Sequence, residues 1–413
     1  MLDAVTALLP DLRSLYEDLH AHPELSFQEH RTAGILAARL EGLGYEVATD
    51  VGRTGVVATM TNGDGPTVLL RADIDALPVL EDTGLAYAST ARGVDPDGRD
   101  VPVAHACGHD MHAAWLIGAA TILAEHRDGW AGTVLLVVQP AEELGAGALA
   151  MLDDGLYERF GTPVVALGQH AAPAPAGWVL HRAGPMMAAS DAINVTLHGR
   201  GGHGSAPQNT VDPAVLAAST VMRLQTVVAR EVDPAETAVL TVGRLAVGTK
   251  ENIIADRAEL GLSIRTFQPH VRQRMIDAVH RIIEGECAAA GCPRPPEFDE
   301  GYSLPIVDND AEATATVAAA FAAHFGPERS MPGPVATGSE DFGHFALRAG
   351  IPSVFWFVGV TDPELVRRAF EEGTFAETVP YNHSPQFAPV QDPSIQTGVE
   401  ALVTAALCWL APA

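Results

Sequence analysis

Short apolar runs alternate with helical patterns along the first half of the chain. Residues 67–70, 133–138 and 164–167 are apolar runs of strand length, and an apolar helical pattern begins near Asp110. Strands that alternate with helices in this way are typical of an α/β sheet. The pattern therefore predicts an α/β domain in this part of the chain.

The order of the predicted elements changes near Ala188. The elements that follow are a strand at 193–198, a helix at 213–228, strands at 238–245 and 259–265, and a helix at 271–290. This order is that of a split β-α-β unit, in which the strands of a small sheet are separated by helices.

A proline-rich stretch at 292–296 predicts a hinge after this unit, because a helix or a strand does not continue easily through it. Helical and strand patterns then resume at 311–325 and 353–357. We therefore predict one α/β domain interrupted by a smaller insertion. The predicted boundaries are 1–187 and 297–413 for the first domain and 188–296 for the insertion.

Composition supports two domains and narrows the choice of partners. A chain of 413 residues exceeds the usual size of one core, and with 47% hydrophobic residues both domains can be well packed. The formal net charge of −27 repels nucleic-acid backbones and anionic bilayer surfaces, so we predict no nucleic-acid or membrane partner. An acidic substrate needs local positive charge from metal ions or a buried arginine.

The lack of a recognisable targeting signal and the small number of cysteines favour a cytoplasmic protein. The amino-terminal segment predicts an amphipathic helix and lacks the features of a signal peptide. The longest apolar stretches fall short of the roughly 18 residues that indicate a membrane span. The four cysteines are too few and too scattered for a disulfide framework, which fits a reducing compartment.

Polar residues cluster directly after the apolar runs of the predicted sheet. The clusters are residues 71–75, 139–143 and 168–170. Ligands of open α/β sheets bind outside the carboxyl ends of the strands, so we expect these three clusters to converge.

A thiol and an imidazole lie two residues apart just before the apolar helix. Cys107 and His109 can point to one side of a loop and share a metal site. The alternative is a buried thiol beside a helix-capping region, and this motif alone does not decide between the two.

Two adjacent carboxylates, Glu142 and Glu143, follow the most hydrophobic run of the first half. Two buried anions side by side are costly without cations, and a metal pair removes that cost. One glutamate then binds metal while its neighbour stays free as a general base. The alternative is a solvated helix start. His170 and His383 are single histidines in loops. They become candidate metal ligands only when they are considered together with the other clusters.

Six segments in this order resemble the aminoacylase and carboxypeptidase G superfamily of metallopeptidases, in its branch of N-acyl-amino-acid amidohydrolases and hippurate hydrolases. The segments are LHAHPEL (19–25), LRADIDALP (70–78), HACGHDMH (105–112), QPAEE (139–143), GRGGHGSAP (199–207) and GSEDF (338–342). The resemblance covers nearly the whole chain. It implies a metallopeptidase-type catalytic domain with an inserted ferredoxin-like dimerisation or lid domain.

The same resemblance implies a site for two divalent metal ions. The implied ligands are Cys107 as the bridge, His109 and His170 on one metal, and Glu143 and His383 on the other. Glu142 becomes the general base, and Asp75 orients a metal ligand, a role that Asp73 could share. Thiolate, imidazole and carboxylate together admit Zn, Mn, Co or Ni.

The resemblance also implies roles for other residues of the six segments. His20 and His22 are expected to be structural. His105, His112 and the segment 339–341 are expected to line the pocket without touching metal.

The inserted domain supplies a second set of implied residues. His203, in the glycine-rich turn, is expected to reach the active site of a partner subunit and stabilise the oxyanion, which implies a homodimer. Asn252 and Arg265 match positions that hold the substrate carboxylate. A guanidinium suits that task because it donates two parallel hydrogen bonds, although an arginine at a strand end is commonly a structural ion pair.

The predicted function is metal-dependent hydrolysis of the amide bond of N-acyl amino acids by a metal-activated water, with Glu142 as general base. A dipeptidase or carboxypeptidase on the same scaffold is the alternative with identical metal chemistry. Two other classes stay open on the residues alone: a thiol hydrolase with Cys107 as nucleophile, and a binding protein without activity.

Overall fold

The computed structural model describes residues 1–410. The helices are α1 (Val5–Ala21), α2 (His30–Gly42), α3 (His109–Glu125), α4 (Gly147–Asp153), α5 (Leu156–Phe160), α6 (Pro213–Glu231), α7 (Pro269–Ala290), α8 (Ala311–Phe325), α9 (Gly343–Ala349), α10 (Pro363–Glu372), α11 (Phe375–Thr378) and α12 (Ser394–Leu407). The strands are β1 (Glu46–Val51), β2 (Gly55–Asn62), β3 (Thr67–Asp73), β4 (Arg92–Val94), β5 (Asp100–Pro102), β6 (Gly132–Gln139), β7 (Val165–Pro175), β8 (Val179–His181), β9 (Gly184–Met187), β10 (Ala189–His198), β11 (Gly202–His203), β12 (Ala238–Val247), β13 (Ile253–Ile254), β14 (Arg257–Thr266), β15 (Glu297–Leu304), β16 (Val307–Asn309), β17 (Ser330–Pro332) and β18 (Ser353–Thr361).

These elements form two compact units. The first unit comprises Met1–Met186, Asp308–Pro334 and the described chain from Asp341 onward, and the second comprises Met187–Val307 and Val335–Glu340. Among residues 1–410, no helix is both long enough and apolar enough to cross a membrane.

An eight-stranded sheet forms the centre of the first unit, in the order β1-β2-β6-β3-β7-β18-β8-β17. Strand β3 pairs in parallel with β6 and β7, and β7 pairs in parallel with β18. Strands β3, β6 and β18 form because their residues are mostly β-branched or large apolar residues, and nearly all of them are buried. Parallel pairing brings the ends of β3 and β6 to one edge, with Asp73 opposite Gln139.

The second unit has the predicted ferredoxin-like topology. Its element order is β10-α6-β12-β14-α7-β15, and its antiparallel sheet has the strand order β12-β14-β10-β15. Residues of β14 alternate between buried and partly exposed, as expected for a sheet with helices on one face. The prediction of an α/β fold with an inserted split β-α-β unit is confirmed.

The observed return to the first unit differs from the predicted boundary at 296/297. Strand β15 belongs to the second unit because it pairs with β10, so the chain returns only at Asp308. Strand β15 is an edge strand, and most of its residues are exposed. It therefore has no apolar alternation from which a strand is predicted.

Candidate metal centre

Cys107 and His109 are presented by a sharp turn at the start of helix α3. Gly108 between them has φ +89°, and a Cβ atom there would lie 2.9 Å from Cβ of Ala171. Only glycine adopts this left-handed conformation and fits this close to Ala171 without strain. The backbone therefore approaches the strand β7 closely, which brings the thiol and the imidazole toward His170.

Glu142 and Glu143 follow a second sharp turn, at the end of β6. Ala141 has φ +48°, although it is not glycine, and its N–H donates to Oε1 of Glu29 at 2.9 Å. Burial raises the pKa of Glu29 to about 7, and the nearby Asp75 carboxylate adds to this rise. The buried Glu29 carboxyl group thus holds the turn from which both glutamates project.

His170 lies within strand β7, whereas the sequence places it after the strand. Strand β7 extends to Pro175 because β18 pairs with it along that length, His170 opposite Phe357. The side chain of Gln169 is buried and accepts a hydrogen bond from Nε1 of Trp356 at 2.8 Å. A buried polar residue of this kind interrupts the apolar pattern from which the strand is predicted.

His383 is presented by a loop in a left-handed conformation, with φ +71°. Its backbone N–H donates to the oxygen of Ala106 at 2.7 Å. This bond joins the His383 loop to the residue that precedes Cys107.

All five predicted metal ligands meet at one site of the first unit. Ligand atoms of Cys107, His109 and Glu143 lie within 4.8 Å of one another. The Cys107 Sγ atom is 3.6 Å from Nε2 of His170, and Nε2 of His383 is 3.3 Å from Oε1 of Glu143. Five residues from four separate chain segments thus converge at the edge of the sheet.

The hydrogen bonds of two histidines determine which nitrogen faces the site. His109 donates its Nδ1–H to the backbone oxygen of Asp75 at 2.9 Å, and His170 donates its Nδ1–H to the oxygen of Ala171 at 2.8 Å. A carbonyl oxygen only accepts, so both Nδ1 atoms carry hydrogen. The Nε2 atom of each ring is left for a metal ion, and for His109 it has no hydrogen-bond partner among the described residues.

His112 is close to the site but is not available as a ligand. Its Nε2 accepts the backbone N–H of Ala171 at 2.8 Å, so its Nδ1 carries the hydrogen that bonds to Asp73. Both ring nitrogens are occupied. Burial lowers the pKa of His112 to about 4, which agrees with a neutral ring.

The acidic and thiol groups of the site favour bound cations. Burial raises the pKa of the Cys107 thiol well above its ordinary value, and the carboxylates of Glu143 and Glu142 raise it further. Oxygen Oε1 of Glu143 is buried and makes no well-formed hydrogen bond among the described residues, although Nε2 of His383 lies 3.3 Å away. Metal ions would supply the missing positive charge and convert the thiol to thiolate. The residues present therefore fit a metal centre.

Asp75 forms hydrogen bonds with Glu142, Glu143 and His109. Its Oδ1 and Oδ2 accept the backbone N–H groups of Glu142 and Glu143 at 3.1 and 3.0 Å, and Oδ2 also accepts from the Ser26 hydroxyl at 2.6 Å. Its backbone oxygen binds His109. The geometry suits an orienting residue.

A buried ionic network beside the site was not predicted. Arg71 donates to Asp73 at 2.6 Å, to Gln139 at 2.8 Å and to Asp341 at 3.2 Å. Burial alone would raise the pKa of Asp73, but Arg71, His109 and His112 hold it well below its usual value. Removing one partner of such a buried pair costs about 3–5 kcal/mol, because it leaves an unpaired charge. Arg71 is in a segment singled out from the sequence, yet its partner Asp341 is 270 positions away.

The remaining histidines of the first unit lie outside the ligand set. His20 is buried between Asp110 at 2.7 Å and Glu81 at 3.0 Å; burial opposes its charge, but these carboxylates raise its pKa to about 10. His22 is exposed at the end of α1, and its ring bonds to a backbone oxygen. His105 is buried, and its ring nitrogens have no partner among residues 1–410.

The implied substrate residues belong to the second unit. His203 is exposed, and its Nδ1 accepts from the N–H and the hydroxyl of Ser205 at 3.1 and 2.7 Å, which leaves Nε2–H as a free donor. The N–H of Gly204 donates to the oxygen of Asn252 at 2.9 Å, so these two segments are neighbours. Arg265 donates to Oγ of Ser339 at 3.0 Å. The segment 339–341 is thus divided between the units, with Asp341 in the first.

Residues 69–404 match Peptidase family M20/M25/M40. The chain belongs to this family. Family M20/M25/M40 membership makes it a metal-dependent hydrolase, and it confirms the resemblance stated from the six segments. A thiol hydrolase and an inactive binding protein are no longer the simplest explanations of the site.

Relatives in family M20/M25/M40 have more than one named activity. The chain is 37% identical over 357 residues to N-acetylcysteine deacetylase of Bacillus subtilis, with 86% of this chain and 89% of the relative covered. It is 35% identical over 370 residues to thermostable carboxypeptidase 1 of Saccharolobus solfataricus, with 87% and 90% covered. The crystal structure of a B. subtilis protein described as a dinuclear metal binding peptidase has a TM-score of 0.77 at 31% identity, with 98% and 99% covered.

Proposed function

We propose that the protein hydrolyses the amide bond of N-acyl amino acids, using two divalent metal ions held by Cys107, His109, Glu143, His170 and His383. The observation that carries the proposal is the orientation of His109 and His170, whose Nδ1 atoms bond to backbone oxygens. Their Nε2 atoms are thereby directed to the thiol and the carboxylate that a metal ion needs. A homologous protein described as binding two metals supports the stoichiometry.

Bound ions would polarise the amide carbonyl and lower the pKa of a water molecule. Glu142 takes the proton of that water and delivers it to the leaving nitrogen. Its Oε2 lies 3.9 Å from Nε2 of His109, so it is beside the ligands. Its backbone N–H is held by Asp75, which also holds that of Glu143. One carboxylate thus positions both the base and a ligand.

The substrate carboxylate is bound by Arg265 and Asn252 in this proposal. Both residues are in the second unit, and the overall charge of −27 makes a dedicated positive group necessary for an anionic substrate. In a homodimer, His203 offers its Nε2–H to the oxyanion that forms on the substrate in the active site of the partner subunit. The hydrogen bonds that Ser205 donates to Nδ1 support this role, because they fix the tautomer with a free Nε2–H.

A carboxypeptidase or dipeptidase is the second candidate, and similarity to the S. solfataricus carboxypeptidase favours it. The metal chemistry is the same in both cases, so only the substrate separates them. The test is to load the purified protein separately with Zn, Mn, Co and Ni and to follow product release from matched substrates. These are N-acetyl and N-benzoyl amino acids and dipeptides with the same carboxyl-terminal residue. Faster turnover of the N-acyl amino acids supports the proposal, whereas selective turnover of the dipeptides favours the peptidase.

A further inference from the structure

The side-chain amide of Asn382 connects the backbone on two sides of the candidate metal centre. Its Nδ2 donates to the backbone oxygen of Cys107 at 3.1 Å and to that of Ala171 at 3.1 Å. The Cys107 Sγ atom is 3.8 Å from the same nitrogen. All three neighbours are acceptors, so the amide orientation is determined by its partners.

The two carbonyl groups belong to the backbone that carries two of the proposed ligands. One is the carbonyl of Cys107 itself. The other, of Ala171, also accepts Nδ1–H of His170, so the His170 ring and Asn382 bind the same oxygen. A change in the position of Asn382 therefore acts on both ligands at once.

The Cys107 turn needs such a restraint. Gly108 has a left-handed backbone, and helix α3 begins there without a side-chain cap. The Cys107 Sγ atom and the His170 Nε2 atom are 3.6 Å apart, although the two residues are 63 positions apart in the chain. Among the described residues, the Asn382 amide is a direct hydrogen-bonded link between the backbones of these two segments.

We propose that Asn382 is a positioning residue that sets the distance between the Cys107 thiolate and the His170 imidazole, and so the affinity for the metal that both would bind. The inference rests on the ligand set of the proposed function. Both amide hydrogens of Asn382 are directed to backbone carbonyl oxygens. Asn382 therefore acts on the positions of the two proposed ligands. The loop itself has other anchors, namely His383 N–H to Ala106 and the N–H of Asp82 to the oxygen of Pro385 at 2.8 Å.

The test uses Co(II) titration of the metal-free full chain, read by the thiolate-to-cobalt charge-transfer absorbance. Asn382→Asp keeps the size but removes both donors, and Asn382→Ala removes the amide without adding charge. For both we expect cobalt to bind about 10- to 100-fold more weakly, the usual effect of losing a group that orients a ligand. We also expect the charge-transfer band to shift or weaken. Gln386→Ala is the matched control, because this exposed amide of the same loop bonds to Asp82, away from the ligands.

The possible outcomes separate this inference from the proposed function. Wild-type affinity and an unchanged band in both Asn382 variants overturn the inference while the ligand set stands. A large loss of thermal stability in both metal-free variants also overturns it, since Asn382 would then serve the fold. If the wild-type chain itself shows no charge-transfer band, the assignment of Cys107 as ligand is wrong and the inference is overturned with it.

Discussion

The Nδ1 atom of His109 lies 2.9 Å from the backbone oxygen of Asp75, and this contact determines which ring nitrogen faces the candidate metal centre. The carboxylate of the same aspartate accepts the backbone N–H groups of Glu142 and Glu143. Asp75 therefore connects a proposed ligand with the proposed base.

Cys107→Ser should reduce the occupancy of both metal positions, because a bridging thiolate binds both ions and a hydroxyl is a poor substitute. Elemental analysis after dialysis against limiting metal gives the stoichiometry. Cys408→Ser is the matched control, since that thiol bonds to the oxygen of Thr404 within α12. A Cys107 variant with two ions and full activity would show that the thiol is not a ligand.

Glu142→Gln and Glu143→Gln should have different effects, although the two residues are adjacent. Glutamine at 142 keeps the size but does not accept a proton, so kcat should fall by about 10²-fold or more while metal content persists. Glutamine at 143 should lose metal, and excess metal should restore part of the activity. Metal stoichiometry and single-turnover rates at several metal concentrations decide between these outcomes. Rescue of the Glu142 variant by metal, with a fully loaded and inactive Glu143 variant, would reverse the assignment.

Metal binding should release protons and strengthen as the pH rises. Burial opposes protonation of His109, but Asp73, Asp75 and Glu143 raise its pKa to about 10 in the metal-free protein, and the pKa of Cys107 is also raised. Both groups therefore carry a proton at neutral pH that a metal ion must displace. Burial lowers the pKa of His170 to about 4, so His170 has no proton to lose there.

Calorimetric titration of metal in buffers of different ionisation enthalpy measures this release. At pH 7.5 we expect about two protons per two-metal centre from His109 and Cys107, with a further contribution from His383, whose pKa the Glu143 carboxylate also raises. The Cys107→Ser variant should release about one proton fewer. Metal affinity that does not vary between pH 6 and 9 would contradict the prediction.

Arg265→Ala should lower kcat/KM for an N-acyl amino acid by about 10- to 100-fold, as expected for the loss of a hydrogen bond to a charged group. The corresponding methyl ester or amide has no carboxylate, so its hydrolysis should change much less. Arg244→Ala is the control, because Arg244 pairs with Glu259 on the same sheet at 3.3 Å. Equal losses with the acid and the ester would exclude Arg265 as the carboxylate-binding residue.

Local signals made some elements predictable from the sequence. Helix α8 has the predicted bounds, 311–325, because Asp310 caps its first turn and Gly326 with φ +84° ends it. The structure also brings together the side chains of the five residues predicted as ligands, and their role in metal binding stays a prediction.

Contacts between distant segments were not predictable in this way. Asn382 is 275 positions from Cys107, and no local pattern indicates that its amide bonds there. Ala141 and His383 have left-handed backbones without being glycine, so the turns that present Glu142 and His383 have no sequence signal. Strand β15 exists because β10 pairs with it, and its own residues are largely polar.

His203 should act in the active site of a partner subunit. The residue is exposed on a short strand of the second unit, and the hydrogen bonds from Ser205 to Nδ1 leave Nε2–H as a donor suited to an oxyanion. His203→Ala should therefore reduce kcat by about 10²-fold or more with little change in metal content. Ser205→Ala should give a smaller loss, because it removes the hydroxyl but keeps the N–H that also bonds to Nδ1.

Mixed dimers test whether His203 acts across subunits. Chains with His203→Ala and chains with Glu142→Gln are each expected to be nearly inactive as homodimers. In a mixed dimer, the site formed by the metal centre of the His203→Ala chain receives its histidine from the Glu142→Gln chain, so one site has both native groups. Equal amounts of the two chains, after subunit exchange verified by differently tagged chains, should recover about a quarter of the wild-type activity, because half of the dimers are mixed and each has one complete site. If exchange is complete and activity does not rise above that of the separate variants, His203 does not act in the partner subunit.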